Sequence, residues 1–264
     1  MKITALVENE TKSELKTTHG LSLYIETNNH TILFDLGPDD TLFENARRRS
    51  LDLSQVDTVI ISHGHYDHGG ALSRFLQINS AAKVYVQRQA FQPHFGKFLF
   101  LKKSIGLDAG LEGHPQVIPV DGNHQIDEQL RLFVVTDRSK CHSKANDSLY
   151  EGDQKDKFQH EQNLIIQENQ NALIMGCGHT GVVNILEKAE KYQPTLCVGG
   201  YHLFNPATKR TVSEALLDDI AKELGQYADL KFYTCHCTGP KAFQYLADKL
   251  PNMFYLHCGD TIEA

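Results

Sequence analysis

The chain has 264 residues, enough to bury a sizeable core. Hydrophobic residues make up 41% and charged residues 22%, as in an ordinary soluble globular protein, and the formal net charge of −7 offers no general attraction to nucleic-acid phosphates or anionic lipid. No apolar run reaches the ~20 residues of a spanning helix, and the opening MKITALVENET lacks the apolar stretch and cleavage site of a secretory leader, so the expected location is the cytoplasm.

In chain order, Ile3–Val7 reads as a strand. Leu21–Glu26 and His30–Phe34 follow as a hairpin around Asn28–Asn29. Leu42–Arg49 has helical spacing, and the β-branched run Val56–Ser62 predicts a buried strand ending on SHGHYDHGG at residues 62–70. Ala71–Gln77 reads as a helix and Lys83–Gln87 as a strand. Residues 88–115 are irregular, aromatic and partly basic, and resemble an insertion or lid. Strands return at Gln116–Val120 and Leu130–Thr136, and residues 137–162 read as a long polar loop.

The second part repeats the style of the first. Asn163–Gln167 and Ala172–Met175 form a hairpin ending on Gly176–His179, and a helix follows over Gly181–Tyr192. Strand Thr195–Gly199 leads into GGYHL, and Ser213 is placed to cap a helix over Ser213–Leu224. Strand Leu230–Thr234 leads into CHCTG, with a helix at Ala242–Lys249 and a strand at Met253–Leu256 after it. Two β-rich halves flanked by helices predict two packed sheets with helices outside, in one domain over residues 1–264.

The chemistry concentrates at residues 62–70. His63, His65, Asp67 and His68 lie within six residues at a strand end. His63 and His65 point the same way while the chain stays extended, the turn brings Asp67 and His68 to a neighbouring point, and Gly69–Gly70 permits the tight turn that follows. Imidazole and carboxylate ligands suit zinc, iron or manganese. The chain carries 14 histidines, several at other strand ends, which a purely structural turn would not require. The six cysteines are scattered and read as free thiols.

SHGHYDHGG resembles the HxHxDH signature of the metallo-β-lactamase superfamily. HGLSLYIE at 19–26, ILFDLG at 32–37, GCGHTGVVNIL at 176–186, GGYHL at 199–203 and HCTG at 236–239 resemble, in order and spacing, the branch labelled 7,8-dihydropterin-6-yl-methyl-4-(β-D-ribofuranosyl)aminobenzene 5′-phosphate synthase. Residues 88–160 match least. The resemblance implies an α/β, four-layer αββα sandwich with metals at one edge between the sheets. It implies His63, His65, Asp67, His68, His179 and His236 as metal ligands, Cys177 as a weaker candidate beside His179, and Asp35 as a residue that holds the metal loop. His160 and Glu161 compete for a further ligand position, and His19 is expected near the site. Cys235 and Cys237 are expected to point away from it, and His94, His114, His124, His142 and His257 to be loop or surface residues.

The implied cofactor is a pair of divalent ions, zinc foremost with iron or manganese as alternatives, and a metal-bound hydroxide would attack a small phosphate- or acyl-containing substrate. Pterin or phosphoribosyl compounds are the class named by the branch label. Asp67 would ligate a metal and orient water, and His202, which could also bind metal or contact substrate, or a lid residue would assist the leaving group. The aromatic stretch Phe91–Phe100 with Lys97, Lys102 and Lys103 either covers a flat or phosphorylated substrate or is an ordinary insertion. No G-x-S-x-G elbow supports a serine hydrolase. A di-iron redox protein and a non-catalytic metal-stabilised binding module remain as other readings, and a homo-oligomer is left open.

Overall fold

The structure is a computed structural model that describes residues 1–98 and 101–264; Leu99 and Phe100 of the aromatic stretch lie outside the described residues. Two seven-stranded sheets dominate. The first runs, edge to edge, through Thr261–Glu263, Lys2–Val7, Ser22–Glu26, Thr31–Phe34, Thr58–Ile61, Lys83–Gln87 and Val117–Val120. The second runs through Met253–Tyr255, Lys231–Thr234, Leu196–Gly199, Ala172–Ile174, Asn163–Ile166, Leu130–Phe133 and His124–Gln125.

Side-chain alternation builds the layers. Ile32 and Phe34 face the second sheet while Leu33 faces outward, and the same alternation puts Ile60 inward and Val59 and Ile61 outward. In the second sheet Leu164, Ile166, Ala172 and Ile174 meet the first sheet, and Ile165 and Leu173 turn to the far side. Both faces of each sheet are therefore apolar, which explains why the central strands read as continuous hydrophobic runs. Leu42, Ala46, Leu72 and Phe75 from helices Thr41–Arg48 and Leu72–Ile78 cover the outer face of the first sheet. Helices Val182–Ala189, Glu214–Leu224 and Pro240–Ala247 cover the second. Helix, sheet, sheet, helix is the expected four-layer sandwich. Ser213 does cap its helix, its hydroxyl accepting from the Leu216 N–H.

Two segments differ from their reading. Residues 94–98 and 101–104 form a hairpin, and Leu149–Glu151 and Gln154–Lys155 join it as a four-stranded sheet. The long loop thus carries a short hairpin of its own, Leu149–Glu151 with Gln154–Lys155, and Leu149–Glu151 also pairs with His94–Gly96, a partner too distant in the chain to leave a local pattern. The last strand, Thr261–Glu263, is too short to show a pattern in the sequence; it pairs with Lys2–Thr4 and joins the two ends of the chain. No helix among the described residues is long and apolar enough to cross a membrane.

Candidate metal centre

The parallel strands of both sheets end at one edge, and the loops that leave them build the site. Strand Thr58–Ile61 releases residues 62–70, which Asp35 holds from the neighbouring strand end. The Asp35 carboxylate accepts the Ser62 N–H at 2.7 Å, the Ser62 hydroxyl at 2.7 Å and His68 Nδ1–H at 2.6 Å. Asp35 sits at φ 61°, a left-handed conformation that costs a non-glycine residue energy and that these bonds maintain. Gly70 is required by close approach, because a Cβ there would lie 2.5 Å from the Pro38 carbonyl oxygen and 2.6 Å from that of Tyr66.

Four histidines have their tautomer set by a partner. His68 Nδ1 faces Asp35, which can only accept. The Ser62 hydroxyl gives its proton to Asp35, so His63 Nδ1–H donates to Ser62 Oγ at 2.8 Å. His179 Nδ1–H donates to Asn146 Oδ1 at 2.8 Å, and His236 Nδ1–H to Asn9 Oδ1 at 2.9 Å. Asn146 and Asn9 also donate through Nδ2 to the carbonyls of the same two histidines, which fixes their amide orientation. Each of these imidazoles, when neutral, therefore presents a bare Nε2, as orienting partners of metal ligands commonly enforce.

These nitrogens meet in pairs. His63 Nε2 lies 3.3 Å from His179 Nε2, with His65 completing a buried group whose ligand atoms are within 4.8 Å of one another. His68 Nε2 lies 3.2 Å from His236 Nε2, and Asp67 Oδ2 is 3.4 Å from His236 Nε2 and 3.8 Å from His68 Nε2. Two lone pairs facing at such distances repel unless a cation lies between them. The donor set fits divalent metal, with His63, His65 and His179 as one candidate ligand group and Asp67, His68 and His236 as a neighbouring one. Cys177 stands between the groups, its Sγ 3.2 Å from His68 Nε2 and also grouped with His63.

Protonation follows the same logic. Burial, then the neighbouring imidazoles, push His63 and His179 well below the usual histidine range, which keeps them neutral and able to ligate. His65 is lowered likewise, by burial and then by His160. Burial opposes charge on His68 too, but Asp35 and Asp67 outweigh it and raise the group to about 9. A proton on His68 Nε2 then occupies the metal-free gap to His236. Asp67 is also buried, yet the charges of His68, His236 and His19 hold its carboxyl well below the usual carboxylate range. Burial and His236 lower His19 to about 4.

His65, Asp67, Cys177, His179 and His236 line a cavity of about 380 Å³, whose walls also include His19, His202 and Cys237. His19 Nε2 lies 3.4 Å from Asp67 Oδ2. The His202 ring lies 4.2 Å from that of His179, centre to centre, and is tilted 52° to it; His202 sits at φ 46° with a buried Nδ1 that has no partner among the described residues. Cys235 points into the core between the sheets, but Cys237 turns into the cavity, contrary to expectation. His236 at φ 50° and the 3-10 turn His236–Thr238 break the strand alternation on which that expectation rested.

The two candidates for a further ligand are both hydrogen-bonded into the scaffold, and His160 also stands with His65, His94 and Asp156 in a group whose ligand atoms lie within 4.8 Å of one another. Glu161 accepts the His179 N–H at 2.7 Å and the Thr180 N–H and hydroxyl at 2.8 and 2.6 Å, pinning the loop that carries His179. His160 Nδ1 accepts the Gly64 N–H at 2.9 Å and its Nε2–H donates to Asp156 at 3.1 Å, so neither nitrogen is free. Asp156 also receives His94 Nδ1 at 3.1 Å. His94, expected on a surface or loop, is fully buried behind His65. His94, Asp156, Asn146, Glu8 and Asn9 carried no sequence signal, because they reach the site from elements distant in the chain. Glu8 accepts the His236 N–H and the Tyr255 hydroxyl.

Residues 15–143 match the family model described as the metallo-beta-lactamase superfamily. A solved structure described as a metal-dependent hydrolase of the β-lactamase superfamily superposes with a TM-score of 0.81 at 24% identity, covering 100% of this chain and 99% of that one. This is therefore a metallo-β-lactamase-fold protein, as its motifs imply. Among curated relatives, an uncharacterized protein of Methanocaldococcus jannaschii is 29% identical over 98% of this chain and 99% of its own. The 7,8-dihydropterin-6-methyl-4-(β-D-ribofuranosyl)-aminobenzene-5′-phosphate synthase of the same organism is 26% identical over 100% of this chain and 96% of its own.

Proposed function

We propose that the protein is a metal-dependent hydrolase, or a related transferase, acting on a small phosphate- or acyl-containing molecule. The supporting observation is the pair of facing imidazole couples, His63 with His179 and His68 with His236, of which His179 and His236 line one cavity together with His65 and Asp67. His63, His65 and His179 would hold one divalent ion and Asp67, His68 and His236 a second, and metal bound there would polarise a substrate oxygen and lower the pKa of water toward neutrality. Zinc suits the donors best, since the imidazoles are joined by the Cys177 sulfur, a softer ligand than manganese favours.

The protein's own side chains supply the remainder. Asp67, ionised against His68 and His236, orients an attacking water and accepts from it. His202, lining the cavity with an unpartnered Nδ1, hands a proton to the departing oxygen or nitrogen. Leu149, Ile105 and Pro206 exclude bulk water from one side of the cavity. The similarity to the Methanocaldococcus jannaschii synthase adds pterin and phosphoribosyl compounds to the substrates worth testing. The test is zinc-dependent turnover on a panel of phosphodiesters, phosphomonoesters, lactones and thioesters, by the wild type and by His65→Ala. Turnover on at least one member, lost in the variant, supports the reading; no metal-dependent turnover on any of them points to a binding module instead.

A further inference from the structure

Cys177 does not stand alone as a sulfur at the metal cavity. Cys237 is buried beside it as a second free thiol, and the ligand atoms of Cys177, Cys237 and His236 all lie within 4.8 Å of one another. The two thiols come from different strand ends. Cys177 follows Ala172–Ile174 and Cys237 follows Lys231–Thr234, on either side of Leu196–Gly199. The loop after that middle strand makes room for the second sulfur. A Cβ on Gly200 would lie 2.5 Å from Cys237 Sγ, so any side chain there would displace it. The same loop holds Cys237 in place. The His202 N–H donates to its Sγ at 3.2 Å, and the Leu203 N–H donates to its carbonyl at 3.0 Å. An N–H donor suits a sulfur that carries negative charge.

The spacing suits a single ion. A tetrahedral zinc with bonds of about 2.3 Å to sulfur and about 2.0 Å to nitrogen holds neighbouring donors roughly 3.3–3.8 Å apart. His68 Nε2 is 3.2 Å from His236 Nε2 and 3.2 Å from Cys177 Sγ. Cys237, grouped with both Cys177 and His236, supplies the fourth corner. We propose that Cys177 and Cys237 both bind, as thiolates, the ion held by His68 and His236, which makes this half of the centre a two-sulfur, two-nitrogen site for a thiophilic metal. Each thiol gives its proton to solvent as the ion binds. Asp67 Oδ2, 3.4 Å from His236 Nε2 and 3.8 Å from His68 Nε2, stays within reach as a fifth donor. Thiolates favour zinc over manganese, which prefers oxygen ligands. The two halves then differ in kind, since His63, His65 and His179 leave a position open for water while sulfur fills the other ion's shell. The proposal rests on the functional reading above for the presence of metal, but it concerns ligands rather than turnover.

The test loads the reduced full-length chain with cobalt(II) and follows the sulfur-to-cobalt charge-transfer absorption in the near ultraviolet. The band should lose about half its strength in Cys237→Ser and in Cys177→Ser and vanish in the double variant. Cys235→Ala should keep the full band, because that thiol lies in the core between the sheets. The wild type by itself gives a second measurement. Its cadmium NMR spectrum should contain a resonance in the range of two-sulfur sites, downfield of any from nitrogen and oxygen donors. Where a substitution unfolds the chain or abolishes metal binding, that spectrum decides. No charge-transfer band, a full-strength band in Cys237→Ser, or cadmium resonances from nitrogen and oxygen donors only would each overturn the proposal. Zinc-dependent turnover lost in His65→Ala would survive that failure, and sulfur ligation without turnover would leave only the hydrolase reading overturned, so the two fail separately.

Discussion

Replacing Asp35 by asparagine separates the scaffold from the metals. The carboxylate accepts from the Ser62 N–H through Oδ1, and from the Ser62 hydroxyl and His68 Nδ1–H through Oδ2. An asparagine can keep the first bond, but its amide nitrogen then faces two donors. The cheapest relief is for His68 to move its proton from Nδ1 to Nε2, which removes the lone pair aimed at Asp67 and His236. Losing an orienting partner of this kind costs about 10–100-fold in metal affinity, or about 1.4–2.7 kcal/mol. The larger loss should fall on metal held by Asp67, His68 and His236, with a smaller one at His63, His65 and His179, because Ser62, which orients His63, also donates to Asp35. Competitive zinc titration against a chromophoric chelator resolves the two steps. Two equal losses, or two unchanged affinities, would refute the argument that Asp35 acts through the His68 tautomer.

The metal-free protein should have a stability maximum near neutral pH. His68 is raised from 6.5 to about 9, so its contribution is complete below about 6.5 and is lost as pH rises through 9. His63, His65 and His179 are lowered, so the folded state is penalised as pH falls below about 6.5, where the unfolded chain gains protons. Thermal melts from pH 5 to 9.5 should show both limbs, and His68→Gln should flatten the alkaline one. An unchanged alkaline limb in that variant would assign it to another group. His202→Gln should lower kcat by about 10²–10⁴-fold, the usual worth of a general acid, with zinc stoichiometry intact; an equal loss of zinc would make His202 a ligand instead. Gly64→Ala should destabilise by about 1–3 kcal/mol, because its Cβ would lie 2.4 Å from the Ala90 oxygen and 2.8 Å from the His94 ring. Denaturant melts check this, and wild-type stability in the variant would mean that the Ala90 and His94 contacts yield cheaply.

The sequence alone determined the layers and the anchor of the site. Unbroken apolar strands such as TVII and NLII can be satisfied only by burial on both faces, which forces two sheets and two helical coats. Four ligand-type residues at one strand end mark a metal loop without reference to the rest of the chain. The tertiary structure alone decided which distant residues meet that loop and which way they turn. His179 and His236 reach it because their strand ends lie beside that of Thr58–Ile61 at the same edge of the sandwich. Asn9 and Asn146 then set their tautomers from segments with no motif of their own. Adjacent positions also parted in ways that period-two alternation cannot foresee. Glu161 holds the His179 loop while its neighbour His160 turns to Gly64 and Asp156, and the left-handed turn at His236 sends Cys237 into the cavity while Cys235 stays in the core. Local sequence sets what a segment can form, but the direction of a side chain at a strand's end depends on hydrogen bonds made to other parts of the chain.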